Sequence, residues 1–280
     1  LLVPPTAIQS IPPLPPVSGL VYTETGRNGF DVTRAFLNLI TPVGDSFRAR
    51  LTLDAGRLPG NSGPLTPVLR YAYAEAATPL GAWRLGLAVT PWLYYEHGLW
   101  QNRLQGFMFT PRQGWEVPAD FGTALAGRVG SLDYDLGLYN GEGFLKSERD
   151  GIPSPQGRLI WRLGPGWEVA GYAKWTATDH DMEILALARR AASFVGVAEL
   201  VRKPGDVYGG SVYGWWTVLG DPTRGVDLLA RQDWVPAGGT AHPRYIAGIA
   251  YRPTPGIKAL LDVEQERGPV TPMLHTSYQF

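Results

Sequence analysis

Apolar and polar side chains alternate with a two-residue period along most of this chain. Residues 46–55 set Phe47, Ala49, Leu51, Leu53 and Ala55 against Ser46, Arg48, Arg50, Thr52 and Asp54. Trp83, Leu85, Leu87 and Val89 oppose Arg84, Gly86, Ala88 and Thr90, and Leu159, Trp161 and Leu163 oppose Arg158 and Arg162. Late in the chain, Ile257, Ala259, Leu261 and Val263 oppose Lys258, Asp262 and Glu264. This is the period of a strand with one apolar and one polar face. It predicts sixteen strands, near 17–24, 30–40, 46–55, 67–77, 82–90, 119–129, 132–140, 156–163, 167–176, 182–189, 193–202, 207–218, 224–234, 243–252, 256–265 and 271–280. The division at 190–193 is needed because 182–202 is too long for one comfortable strand.

A soluble sandwich turns its apolar faces inward, whereas a membrane barrel turns them outward to lipid. The connections separate the two. Those after even-numbered strands are tight (TPVGD, TPLG, GS, GPG, RAA, GDPTR), while several odd-numbered strands lead into long ones, notably 91–118 and 141–155. Short turns at one end and longer loops at the other are the asymmetry of outer-membrane barrels. The last strand, MLHTSYQF, puts Leu274, Thr276, Tyr278 and Phe280 on one face and ends on an aromatic. Trp83, Trp161, Trp167, Trp175, Tyr245, Tyr251 and Tyr278 share the outward parity, as interface girdles require. The expected fold is therefore all-β: a transmembrane antiparallel β-barrel of about sixteen strands, with short periplasmic turns and longer external loops, in a bacterial outer membrane.

Composition agrees. Gly 35 and Pro 25 are plentiful, aromatics reach 11% and charged residues only 18%, which suits many strands and turns. There is no cysteine, so disulfide frameworks, thiolate metal sites and thiol catalysis are excluded. A formal net charge of +0 offers no basic face for nucleic acid. Six prolines in the first sixteen residues mark 1–16 as an extended arm ahead of a barrel over 17–280. That arm lacks the layout of a signal peptide, so a mature or trimmed chain is expected.

FDVTRAFLNL at 30–39, followed by SFRARLTLDA, resembles the phosphate-selective porin O and P family, as does FGTALAGRVGSLDYDLGLYNGEGF at 121–144. The resemblance extends over roughly the first 175 residues. It implies a sixteen-stranded barrel, usually trimeric, that passes small anions past a constriction loop folded inside. The chain departs from that family in its short length and in having only Lys146, Lys174, Lys203 and Lys258 as lysines. A lysine ladder is therefore missing.

With lipid-facing parity fixed, the lumen set can be read off. Arg34, Arg48, Arg50, Arg70, Arg84, Arg128, Arg158 and Arg162 form a basic wall, and Asp54, Asp133 and Asp135 are placed to pair with some of them. Glu168, Glu199, Asp227, Asp233, Asp262 and Glu264, mixed with Lys174, Arg231, Arg244 and Lys258, make the opposite wall more acidic. The 91–118 connection is the third external loop and the longest, and such loops are usually functional. Its polar candidates for a constriction are Tyr94, Glu96, His97, Gln101, Asn102, Arg103 and Arg112, with a short amphipathic helix expected within 92–103.

No nucleophile elbow is present and the four histidines make no credible triad, so an enzyme is not expected. No cofactor is expected, nor a metal: Asp179, His180, Asp181 and Glu183 read as an exposed acidic loop tip. The expected function is a passive porin for small polar or anionic solutes with a mild anion preference, lipid-embedded and homotrimeric. The alternative is a scaffolding barrel whose lumen holds an envelope partner, such as a cytochrome, or the chain's own N-terminal arm.

Overall fold

The computed structural model describes residues 16–26, 29–56, 63–176, 181–205, 207–235, 243–266 and 268–280. Residues 1–15 of the predicted arm, Asp179 and His180 therefore lie outside the described residues. Sixteen antiparallel strands form one closed barrel, each paired with its sequence neighbours and β1 with β16. They are β1 Val17–Gly26, β2 Gly29–Val43, β3 Phe47–Gly56, β4 Thr66–Thr78, β5 Gly81–Val89, β6 Ala119–Val129, β7 Leu132–Tyr139 and β8 Ser154–Gly164, then β9 Trp167–Lys174, β10 Met182–Ala191, β11 Phe194–Lys203, β12 Val207–Gly220, β13 Gly225–Trp234, β14 Arg244–Thr254, β15 Ile257–Gln265 and β16 Thr271–Gln279. Every predicted strand is present. The division near 190 is a hairpin whose last pair is Ala191 with Phe194.

Closure satisfies backbone groups that lipid cannot. Gly19 and Phe280 exchange both backbone hydrogen bonds, at 2.8 and 3.1 Å, so the terminal aromatic completes the seam. The strand faces obey the alternation. On β14, Tyr245, Ile249 and Tyr251 are exposed on the outside, while Arg244, Ile246, Ala250 and Arg252 are buried within. Trp161, Trp167, Trp175 and Tyr278 are likewise exposed outside. Among the described residues, no helix is long and apolar enough to cross a membrane; the strands do the crossing.

The ends differ as expected. Gly130–Ser131 joins β6 to β7, with Gly130 at φ 58, a left-handed conformation that glycine adopts without strain. At the other end, residues 90–118 and 140–153 make the two longest connections.

Strand β4 breaks its own alternation. The β3–β4 register shifts between Thr52 and Leu53, and Arg70 and Tyr71 on β4 are both buried inside. A β-bulge adds one residue and re-aims the side chains beyond it. Past this bulge, Tyr73 and Glu75 point inward rather than Ala72 and Ala74.

Candidate functional site

The connection between β5 and β6 turns into the barrel. Thr90 Oγ1 donates to the Val117 carbonyl at 2.6 Å, pinning the two ends of the loop together. Pro91 opens helix α1 (Pro91–Leu99), a position where its missing N–H costs nothing. A single 3-10 turn spans Arg103–Gln105 and a short helix α2 spans Phe109–Arg112. Nine helical residues are too few to be stable alone, so packing holds them. Trp92, Leu93, Leu99, Trp100, Met108 and Phe109 are almost fully buried against inward Ile160, Ile184, Val197, Tyr213, Trp215, Leu229 and Ile246.

Wall cations and N–H groups finish the docking by holding loop carbonyls that would otherwise be orphaned. Trp215 Nε1 donates to Leu99 O at 3.0 Å, and Lys258 Nζ donates to Gln101 O at 2.7 Å and Asn102 Oδ1 at 3.1 Å. Arg231 reaches Phe107 O at 3.1 Å, Lys174 reaches Trp115 O at 3.0 Å, and Arg158 reaches Pro91 O at 2.5 Å.

The space that the loop leaves open lies on the other side. A cavity of about 470 Å³ is bounded by Arg50, Arg70, Arg103, Arg158 and Arg190, with Asn38, Thr52, Tyr71, Tyr94, Tyr95 and His97. A second cavity, about 300 Å³, shares Leu20, His97 and Arg103 with it and continues past Arg252 and Lys258 toward Gly256 and Gln279 at the short-turn end. No carboxylate lines either cavity among the described residues. On α1, Tyr94, Tyr95, His97 and Gly98 border this passage, while Trp92, Leu93, Glu96 and Leu99 are buried toward the wall. The expected amphipathic helix is thus present, shorter at its C-terminal end.

Most of the arginines are paired. Asp54 accepts from Arg34 (2.6 and 2.8 Å) and Arg70 (2.6 Å), Asp135 from Arg84 (2.7 Å) with Arg158 at 3.8 Å, and Asp133 from Arg128 and Arg162. Arg48 pairs with Glu75. Arg50 and Arg103 pair with no carboxylate among the described residues. Arg50 instead donates to Asn38 Oδ1 at 3.0 Å and Thr52 Oγ1 at 3.1 Å and stacks over Tyr71.

The carboxylates of the other wall do not face open lumen. Glu168 accepts from Arg190 at 2.8 Å and from Tyr95 Oη at 2.9 Å, Asp233 takes a two-pronged bond from Arg231, and Asp227 is held by Arg252. Glu264 accepts from Arg244 at 2.7 Å and from Gln105, Asp262 lies beside His275, and Glu199 is buried against the loop's Glu96. The contrast between a basic wall and a more acidic one that the sequence suggests is replaced by a covered, largely neutralised acidic side. The reason is that loop docking and arginine pairing both act on the same carboxylates.

The loop's own titratable groups feel this depth. Burial, then Arg103, Arg70 and Arg34, hold the His97 imidazole well below its ordinary range, so it is neutral at pH 7. Burial also lowers the Arg103 guanidinium to about 10. Burial pushes the Glu96 carboxyl up to about 8, against the pull of Arg231. Arg112 spans Asp233 at 3.5 Å and Glu266 at 2.7 Å, near the long-loop end.

Among the constriction candidates, Tyr94, Gln101, His97 and Arg103 border the passage, while Glu96, Asn102 and Arg112 serve the docking of the loop, as does the Gln101 carbonyl. Of the basic set, Arg50, Arg70 and Arg158 border it, whereas Arg34, Arg48, Arg84, Arg128 and Arg162 stand in ion pairs around it. Several lining residues, Asn38 and Tyr95 among them, escape the sequence reading. Arg190 falls in a stretch read as turn, and Tyr71 sits on the far side of the bulge; the Tyr71-x-Tyr73-x-Glu75 phase shift was its signal.

These features define a class: a sixteen-stranded transmembrane β-barrel of porin architecture with its third loop folded inside. Solved structures of similar shape agree. A mutant of the Rhodopseudomonas blastica porin matches with a TM-score of 0.66 at 11% identity, over 94% of this chain and 98% of that one. A second mutant of that porin matches with a TM-score of 0.67 at 12% identity and the same coverage. A further structure, described as concerning asymmetric conductivity of engineered proteins, matches at 0.66 and 12%. At such identity the likeness is one of fold. No protein-family pattern and no curated protein matches the chain.

Proposed function

We propose that this chain is a passive diffusion channel of a bacterial outer membrane, passing small polar solutes with a mild preference for anions. One observation carries the reading: among the described residues, the larger cavity of the open passage is lined by five arginines and no carboxylate, and two of the five, Arg50 and Arg103, have no acidic partner. Pore selectivity follows radius and lining charge, and pair-free guanidinium groups in a narrow passage attract anions most. The third loop is the constriction. The barrel spans 17–280, with 1–16 as a separate arm, and the short turns face the periplasm.

The sequence likeness to phosphate-selective porins supports an anion preference, though arginine rather than a lysine ladder supplies it here. Porin shape favours a homotrimer. No chemistry beyond passage is assigned, and the chain is read as a channel rather than an enzyme. The rival scaffold reading needs lumen space for a partner, and the loop already occupies that space.

Single-channel recording in a planar bilayer under a salt gradient tests the proposal. Ohmic steps with a reversal potential of anion sign are expected. Silence from a folded barrel, or cation selectivity, would overturn it.

A further inference from the structure

Three inward side chains near the long-loop end form a cluster that the passage does not use. Asp262 and Glu264 occupy successive inward positions on β15, and His275 faces inward from β16. One ligand atom from each lies within 4.8 Å of the others. Glu24 on β1 is the direct cross-strand neighbour of His275.

The cluster is not a set of satisfied ion pairs. His275 is 1% exposed, and neither ring nitrogen makes a hydrogen bond. Its Nε2 lies 3.3 Å from Asp262 Oδ1 and its Nδ1 lies 3.6 Å from Glu24 Oε2. Asp262 is equally buried, and both its carboxylate oxygens lack a hydrogen-bond donor. A buried polar side chain without a partner is costly and rare in native proteins. Here two of them point at one another.

We infer that Asp262, Glu264 and His275 form a binding site for a divalent first-row metal ion of the zinc type. The ion takes His275 Nε2 and one oxygen from each carboxylate, leaving a position for water. An imidazole with carboxylates suits zinc, nickel or copper rather than magnesium or calcium. Zinc–ligand bonds of about 2 Å require the three side chains only to draw together by small rotations. Glu24 is placed to accept from Nδ1–H, the outer carboxylate that ligating histidines usually have. The charges suit a cation: among the described residues, Asp262, Glu264 and Glu24 are offset locally by Arg244 alone, on Glu264.

The site also touches the constriction. Glu264 accepts from Gln105 of the third loop. A metal ion drawing on Glu264 competes with that tether, so occupancy changes the seating of the loop and the current through the channel. The binding claim is independent of the channel reading; only this consequence rests on it.

The test uses tag-free, folded barrel in detergent, titrated with zinc against a chromophoric chelator. One zinc per chain is expected, with affinity reduced at least tenfold in His275→Ala and in Asp262→Asn and about 10–100-fold in Glu24→Gln. Calcium at the same concentration should not compete. Loss of heat-modifiable folding in the alanine variant leaves the two milder variants to decide. Wild type without stoichiometric zinc, or variants that bind it as tightly as wild type, overturns the site. In the bilayer, zinc should alter wild-type current and spare Asp262→Asn; equal response in both overturns the coupling to Gln105.

Discussion

On the wall built by β2 to β7, inward side chains are arginines held by Asp54, Asp133, Asp135 and Glu75, with tyrosines between them. On the wall built by β8 to β15, they include Ile160, Ile184, Val197, Trp215, Leu229, Ile246 and Leu260, packed by the third loop. One wall stays wet and manages its charge by pairing. The other is dry and behaves as a soluble core, with close packing and buried hydrogen bonds. Because nearly every wet-wall arginine is matched, the proposed selectivity rests on Arg50 and on the loop's Arg103, which pair with no carboxylate among the described residues. On that proposal the covered wall sets how large the passage is, and the lining arginines, Arg158 and Arg190 of the covered wall among them, set which ions prefer it.

That division is most directly broken by removing the loop. Replacing residues 92–114 with a short Gly-Ser linker should raise single-channel conductance roughly twofold or more, since passage follows pore radius. An unchanged conductance would falsify the constriction. Next in size is the sign of selectivity. Arg50→Glu combined with Arg103→Glu should move the reversal potential from anion to cation sign. Arg48→Glu should move it less, because Arg48 stands outside the lining of the passage and is screened by salt. Equal shifts would mean that position in the passage does not matter.

The same contrast explains how much could be read from residues alone. All sixteen strands were legible because most carry their own alternation and each is bounded by a turn or loop. The division at Ala191–Phe194 rested on strand length together with the even strand count that it restores. The site was legible in part. Arginines show on a wet wall because polar and apolar faces differ. On β10, Met182, Ile184, Ala186 and Ala188 face in while Leu185 and Leu187 face out, so alternation fades where a loop covers the inner face. Strands apolar on both faces were the trace of that cover. Which carboxylates the loop takes up depends on contacts between residues far apart in the chain, such as Trp215 with Leu99, and no local pattern encodes those. The bulge at Arg70–Tyr71 was similarly invisible except as a change of phase.

Packing gives a third, smaller contrast. Trp100 is fully buried and meets Tyr213 edge to face at 5.6 Å. Trp100→Ala on the dry wall should cost about 3–5 kcal/mol, seen as a lower urea midpoint and a noisier open channel. Asn38→Ala on the wet wall removes acceptors from Arg50 and Thr52, with water able to replace them. It should cost about 1 kcal/mol. Comparable losses from both would mean that the two walls are equally dry.

The finest test concerns Glu96, a loop carboxyl pressed into the dry wall. Glu199, Arg231, Asp233, Arg103 and Tyr213 surround it. Burial raises its pKa from 4.5 to about 8, so the folded barrel keeps a proton that the unfolded chain releases. The contribution is fully present below about pH 4.5 and fades as pH rises toward 8, because over that window the folded state binds more protons. The urea midpoint of the barrel should therefore decline from about pH 5 to about pH 8, and the loop should seat least firmly at the alkaline end. Glu96→Gln keeps the neutral form at every pH and should flatten that decline, while leaving the reversal potential in place because residue 96 does not line the passage. A decline of equal slope in the variant would place the titration elsewhere on the covered wall, and a changed reversal potential would show that the two walls are not separable.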